Sequence, residues 1–439
     1  MFKSIGVSIS LAFSVPAAFA HAQMFAGSWT GTASHASETT RIRININEGD
    51  GAPAADVDLL DIGVTGWPAI DVDRDEGGFV VTIPSDSGPQ QLRLTYTAGD
   101  RVRGEWTDNS AAGAALVQLQ YSGPVLALDE ARTRVAGIAG DLGVSVILPV
   151  GEPARAGVVL VHGSGAQSRD ASRFDAQMFA EAGFAAAFYD KRGVGESEGD
   201  WLQADFDDLA ADAAAVAAHL ELVSGLPSER IGFVGYSQGG WISPLALARR
   251  SGEGFVVSIA GPATTPAEEG MWHAILSLRE AGYGNEVQDT VRSILSDWND
   301  GVRAGGDFER FEQRRAAVRS EDWFEMSRLG DFETQGLSPQ WLAWYQAVLD
   351  FDPVPVIRAN DAPFLSLMGD QDEEQPWDRS QALFEGLQEE GVPVEVFVYP
   401  GVNHAMRLAG IDGQAPRWPG RPGDFYQRQF DFIDRALSD

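Results

Sequence analysis

Cysteine is absent from the 439-residue chain, and with it go disulfides, thiol nucleophiles, thiolate metal sites and a lipid-modified N-terminal cysteine. Lysine is nearly absent: only Lys3 and Lys191 occur, so the basic residues are almost all arginine. Positive charge is scarce overall, with 32 Lys and Arg against 64 Asp and Glu and a formal net charge of −32. So acidic a chain lacks the many basic contacts that nucleic acid demands, which sets polyanionic partners aside. Its acids are spread rather than run together and read as a well-solvated surface. The six histidines show no His-Glu-x-x-His spacing, so neither a metal nor a cofactor is expected.

Long apolar runs are missing except at the N-terminus. There Met1-Phe2-Lys3 gives a positive start, Ile5 to Phe19 a short apolar stretch, and Ala18-Phe19-Ala20 or Ala20-His21-Ala22 a small-x-small cleavage site. The run is too short to span a bilayer comfortably, so residues 1–22 read as a cleaved signal peptide rather than a retained anchor. A periplasmic or secreted protein starting near His21 or Gln23, with no stable membrane insertion after cleavage, is the expectation.

The 44% hydrophobic content is that of a globular protein, and the length exceeds what one core usually supports. Two domains, or one large domain with an insertion, follow. Residues 23–123 carry short alternating runs such as Arg41 to Ile46, Gly78 to Ile83 and Gln91 to Thr97, bounded by Gly, Asp, Asn or Pro. They predict a small all-β barrel or sandwich. Its opening, Gly27-Ser28-Trp29-Thr30-Gly31, resembles the Gly-x-Trp start of lipocalin-like barrels. Gly123-Pro124 and the polar stretch Asp129 to Arg134 read as the boundary region, and from residue 124 onward the rhythm becomes buried strand, turn, helix, strand. Val158 to Val161, Phe184 to Tyr189, Ile231 to Val234, Phe255 to Ile259, Phe364 to Met368 and Val394 to Tyr399 are apolar with little alternation. Strands covered by helices on both faces look like this, and a mostly parallel sheet with crossover helices is the economical arrangement. Between Gly261-Pro262 and Pro363 roughly a hundred residues break the rhythm, far more than an ordinary loop, and read as a helical cap over about 264–352.

The chemistry-bearing pattern follows the strand at Ile231 to Val234. Gly235-Tyr236-Ser237-Gln238-Gly239 is Gly-x-Ser-x-Gly between a buried strand and a helix-permissive stretch, the context in which the serine is a nucleophile. A serine hydroxyl needs a base within hydrogen-bond reach. Of the histidines, His404 sits just past the last predicted strand and before the final helix, where side chains from distant segments converge. The acid should lie between serine and histidine, and Gly369-Asp370-Gln371-Asp372 offers two aspartates. Attack on a carbonyl builds an oxyanion that must meet preorganised N–H donors. The backbone amide of Gln238 is one, and that of Ser164, in His162-Gly163-Ser164-Gly165 directly after a strand, is the second. His162 is expected to bond the loop rather than the substrate.

His162 to Gly165, then Asp190-Lys191-Arg192-Gly193-Val194-Gly195-Glu196-Ser197, the Ser237 turn, Gly369-x-x-Asp372 and Asn403-His404 occur in an order that resembles the α/β-hydrolase superfamily. More narrowly they resemble its bacterial esterase and dipeptidyl-peptidase-like branch. The resemblance covers about two thirds of the chain and implies an α/β fold, an eight-stranded mostly parallel sheet with an inserted cap. It assigns Asp372 as the triad acid, leaves Asp370 as a turn residue, and gives Asp190 and Arg192 structural roles.

These expectations converge on a metal-independent carboxylic ester hydrolase acting on a small to medium ester through an acyl-serine intermediate. Cap aromatics such as Trp272, Trp323, Phe324, Trp341 and Trp344 are candidates for its acyl pocket, though helical spacing makes most of them cap core. A serine peptidase is the runner-up, held back because no acidic pair for a peptide N-terminus is recognisable in the sequence. Thioesterase or amidase chemistry shares the triad. A binding protein with a spent site has no reason to keep nucleophile, base, acid and oxyanion loops together.

Overall fold

The computed structural model describes residues 25–48, 52–75, 77–85, 88–98, 100–107, 113–250, 252–408 and 417–438. The leader read at residues 1–22 lies outside them. Among the described residues no helix is long and apolar enough to cross a membrane. The chain divides after Leu126 into two units.

Alternation of buried and exposed side chains builds the first unit from nine antiparallel strands: β1 (Gly27–His35), β2 (Glu38–Asn47), β3 (Ala54–Leu59), β4 (Val64–Pro68), β5 (Asp71–Arg74), β6 (Gly78–Ile83), β7 (Gln90–Ala98), β8 (Arg101–Thr107) and β9 (Ala115–Gly123). Their order is β4-β3-β2-β1-β9-β8-β7-β6-β5, so the first and last strands pair. Residues 64–74 run almost continuously, pairing first with β3 and then with β6. One bent stretch thereby joins the two ends of the sheet, and of the two expected architectures the unit is a barrel. Ile42, Ile44 and Ile46 point inward. Trp29 is buried against Phe79, Tyr96 and Tyr121 and donates its Nε1 hydrogen to Phe25 O at 3.1 Å. It packs the interior.

The second unit holds an eight-stranded sheet of β10 (Glu130–Gly137), β11 (Gly140–Ile147), β12 (Gly157–Val161), β13 (Ala185–Tyr189), β14 (Ile231–Tyr236), β15 (Val256–Ile259), β16 (Phe364–Gly369) and β17 (Val394–Tyr399). The order is β10-β11-β13-β12-β14-β15-β16-β17, antiparallel through β10, β11 and β13 and parallel from there on. The polar stretch Asp129 to Arg134, read as a boundary, lies mostly in β10. That strand is at the sheet edge and mostly solvated, so it carries charges where a central strand would be apolar.

Helices α1 (Arg173–Glu181), α2 (Phe206–Ser224) and α3 (Gly239–Arg249) connect the central strands. Asp205 and Asp208 form a capping box at the start of α2, and Gly225 ends it in a left-handed turn at φ 71°. Between β15 and β16 lie α4 (Pro266–Glu280), α5 (Asn285–Arg303), α6 (Glu309–Ala317), α7 (Pro339–Val348) and α8 (Val354–Asn360). The first four form a cap with its own core, including Leu295, Trp298, Phe311, Trp323 and Phe324, whereas Ile357 of α8 joins the core of the sheet. Helices α9 (Trp377–Glu389) and α10 (Phe425–Ala436) complete the unit.

Arg192, in the turn after β13, places Nε 2.7 Å from Asp212 Oδ2 of α2, and both side chains are buried. Removing one partner strands the other's charge. We expect Asp212→Ala to cost about 3–5 kcal/mol in chemical denaturation, and a paired Asp212→Leu, Arg192→Leu replacement to recover most of it. Equal losses in the single and paired variants would show that the ion pair does not hold α2 in place.

Candidate active site

Parallel strands present their carboxyl ends on one edge of the sheet, and the loops after β12, β14, β16 and β17 all leave that edge. Ser237 lies in the turn from β14 to α3 with a left-handed backbone, φ 51°. Its N–H donates to Ile259 O at 2.9 Å, and its carbonyl accepts from Gly240 N–H at 2.7 Å. A Cβ on Gly235 would sit 2.2 Å from Gly239 O, and one on Gly239 would sit 2.5 Å from Val161 O. Only glycines allow so tight a turn, and the strain persists because strand and helix clamp it from both sides.

His404 follows β17 and places Nδ1 2.8 Å from Asp372 Oδ2. Asp372 is buried, and its Oδ1 accepts from the N–H groups of Glu374 at 2.9 Å and Gln375 at 3.1 Å. The competing Asp370 instead accepts from Gly401 N–H at 2.7 Å, tying the acid loop to the histidine loop. With Nδ1–H given to Asp372, the neutral ring keeps Nε2 free to accept a proton. Burial favours that neutral ring, but the hydrogen bond to Asp372 and the charges of Asp372, Glu374 and Glu269 outweigh it and raise the pKa above the usual value. The cap joins in: Trp272 of α4 donates its Nε1 hydrogen to the Asp372 carbonyl at 3.2 Å.

Ser164 lies in the loop after β12 and Gln238 at the start of α3, and neither N–H enters a backbone hydrogen bond among the described residues. Lys191 holds this arrangement. Its buried Nζ donates to Gly163 O at 2.9 Å, Gly165 O at 3.1 Å and the Gln238 side-chain oxygen at 2.7 Å, so one ammonium ties both oxyanion segments together. Burial pulls its pKa down to about 7. His162, expected to bond the loop, does not: both ring nitrogens are buried without a partner among the described residues, and the ring packs 4.5 Å from Tyr189. Burial and the neighbouring Lys191 push its pKa far down, so it stays neutral.

Ser237, His404 and Ser164 line one cavity of about 410 Å³. A second, of about 320 Å³, is lined by Ser164, Gln238, Trp241, Trp344 and Tyr345. Of the five residues read as nucleophile, base, acid and oxyanion donors, Asp372 is bonded to His404, Ser237, His404 and Ser164 share one cavity wall, and Ser164 and Gln238 share the next. Of the cap aromatics, Trp344 lines a cavity, Trp323 and Phe324 sit in the cap core, and Trp341 stacks on Tyr345. Glu269 of α4 and Glu374 line both cavities, forming an acidic pair that the sequence does not reveal. Burial, partly offset by His404, pushes the Glu269 carboxyl up to about 8. Glu269 had no signal in a chain rich in glutamate, whereas Lys191 did, as the one lysine beyond the leader. Among the described residues no cluster of His, Asp or Glu is arranged to hold a metal.

The family model for "Serine aminopeptidase, S33" matches residues 152–292, and that for "Prolyl oligopeptidase family" matches residues 317–438. The chain belongs to the α/β-hydrolase superfamily. This α/β-hydrolase is a serine hydrolase. Similar solved structures include an esterase of Pyrococcus furiosus, 16% identical, covering 71% of this chain and 92% of its own with a TM-score of 0.44. An α/β-hydrolase from Penicillium sp. is 19% identical, covers 71% of this chain and 100% of its own, and has a TM-score of 0.46. The proline iminopeptidase of Mycobacterium smegmatis is 19% identical, covers 70% and 100%, and has a TM-score of 0.44. No curated protein matches the hydrolase in sequence.

Two outcomes are expected. A base must be neutral, so kcat/KM should fall as pH drops through the raised His404 pKa. Glu374→Gln removes a carboxylate 3.5 Å from Nε2, and should move that acidic limb to lower pH. Because Glu374 is largely exposed, the movement should be roughly a few tenths of a pH unit. A limb that stays or rises in a pH–rate profile would remove Glu374 from the field at His404. Lys191→Met should lower kcat by about ten- to a hundredfold through misaligned oxyanion donors, with KM nearly unchanged. Steady-state kinetics that show a KM effect alone would contradict the clamp.

Proposed function

We propose that the protein hydrolyses small to medium carboxylic esters through an acyl-serine intermediate. The reading is carried by the Asp372–His404 hydrogen bond of 2.8 Å beside a cavity that also holds Ser237 and the Ser164 loop. Ser237 Oγ attacks the carbonyl carbon and its proton passes to His404 Nε2, while Asp372 stabilises the imidazolium. The oxyanion forms against the N–H groups of Ser164 and Gln238, at the positive end of α3. As the bond to the leaving oxygen breaks, His404 returns the proton to it, and water then enters by the same base to free the acid and Ser237. The aromatic cavity beneath the cap suits the acyl chain. No step calls for a metal or cofactor. Export goes with this proposal: with residues 1–22 removed, the enzyme would work in the periplasm or outside the cell on a small-molecule ester.

One observation favours a second reading. Two carboxyl groups beside a nucleophile, Glu269 and Glu374, suit the free ammonium of a substrate N-terminus, as an aminopeptidase requires.

Protein beginning near Gln23 should turn over p-nitrophenyl esters, with a chain-length optimum set by the capped cavity. Ser237→Ala should lose at least about a thousandfold in kcat. Aminoacyl p-nitroanilides cleaved in place of esters would transfer the assignment to the peptidase reading, and a Ser237→Ala enzyme as active as wild type would end both.

A further inference from the structure

The loop that carries His404 continues to Arg407, which lines the same cavity as Ser237. Its Nη1 donates to Pro419 O at 2.9 Å, and among the described residues it makes no ion pair with a carboxylate. A second guanidinium, that of Arg421, also faces the cavity. Asp175 neutralises it, yet its Nε is buried without a hydrogen-bond partner among the described residues. The Tyr236 hydroxyl, next to the nucleophile in sequence, is likewise buried and unpartnered. Among the described residues, two guanidiniums thus share one carboxylate. Burial first, and the Arg421 charge after it, pull the Arg407 pKa below its ordinary value, against a smaller opposite pull from Tyr236 and Asp175. The remaining acids on the wall do not offset this. Glu374 turns toward His404 Nε2, burial pushes the Glu269 carboxyl up to about 8, and among the described residues neither forms an ion pair with Arg407.

Excess cation and idle donors in a cleft of an otherwise acidic chain call for an anion. The side of the site follows from the chemistry, because His404 hands its proton to the leaving oxygen and the loop leads directly from His404 to Arg407. The aromatic cavity lies at the oxyanion loops, under the cap. We propose that Arg407, with the Arg421 Nε and the Tyr236 hydroxyl, binds a carboxylate carried on the leaving group, so that the preferred substrate is an ester of a hydroxy acid. This rests on the ester-hydrolase reading. Hydrolysis would release the acyl chain as one acid and the hydroxy acid as another, with water supplying the oxygen and both protons.

The test compares O-butyryl lactate with O-butyryl lactamide, an ester pair with the same scissile bond that differs in the carboxylate charge. Acid release at constant pH should show a kcat/KM about ten- to a hundredfold higher for the free carboxylate, mainly through KM. Arg407→Gln should bring that ratio toward one, and Arg407→Lys should retain part of it. Calorimetric titration of the Ser237→Ala protein with the same two esters should show the same order of affinity, lost when Arg407→Gln is added. A ratio near one in the wild type, or a ratio unaltered by Arg407→Gln, overturns the subsite. Binding preference without turnover of either ester would instead keep the subsite and overturn the ester-hydrolase reading.

Discussion

Everything at the site depends on strands running the same way. Because β12, β14, β16 and β17 are parallel, their carboxyl ends share one edge, and Val161 pairs with Gly235 while Gly369 pairs with Tyr399. The turns that follow must leave side by side. Residues far apart in sequence, Ser164, Ser237, Asp372 and His404, are gathered by a register that the buried core of the sheet enforces. The entropy of assembling the constellation is met by folding, before any substrate arrives. The same edge explains why strain is affordable at Ser237: its left-handed backbone is held between a strand buried on both faces and a helix whose first glycine lies against Val161 O.

Charge is distributed with a similar economy. The chain is strongly acidic, yet three cations are placed within or against the cavity, and each does something different. Lys191 is buried and, among the described residues, bonded only to carbonyl-type oxygens, so its ammonium works as a fastener for the candidate oxyanion loops rather than as half of an ion pair. Arg421 is balanced by Asp175, whereas among the described residues Arg407 meets a backbone carbonyl and no carboxylate. Opposite them stand Asp372, Glu374 and Glu269, which together hold the histidine ready to take up a proton. The cap participates through a single helix: α4 contributes both Glu269 and the Trp272 bond to the Asp372 carbonyl. Substrate chemistry and the orientation of the acid are thereby coupled to one inserted segment.

Much of this was legible along the chain. The Ser237 turn announced itself because glycines at Gly235 and Gly239 are a steric necessity that any sequence making this turn must write down. The six apolar runs were readable for a similar reason, since a strand covered on both faces has no polar positions to spare. The edge pair β10 and β11 escaped notice because β10, exposed at the sheet margin, is free to carry Glu130, Arg132 and Arg134 and so looks like a linker. Barrel and sandwich stayed open for the first unit, because closure depends on residues 64–74 changing partners from β3 to β6, and a change of partner leaves no periodicity behind.

By itself, then, the sequence determined the tight turn at Ser237, the candidate base at His404 and the layered α/β frame, because these rest on local rules of backbone sterics and side-chain burial. The choice between Asp370 and Asp372 needed a resemblance to read, and only the tertiary structure gave it a physical basis, one carboxylate bonding Gly401 and the other His404. Lys191 as a clamp, the meeting of Glu269 with Glu374 on one cavity wall, and an Arg407 with no carboxylate partner among the described residues were likewise decided by the fold. Each is a relation between segments distant along the chain, and charge has no period. What a charged side chain does is set by what packs against it.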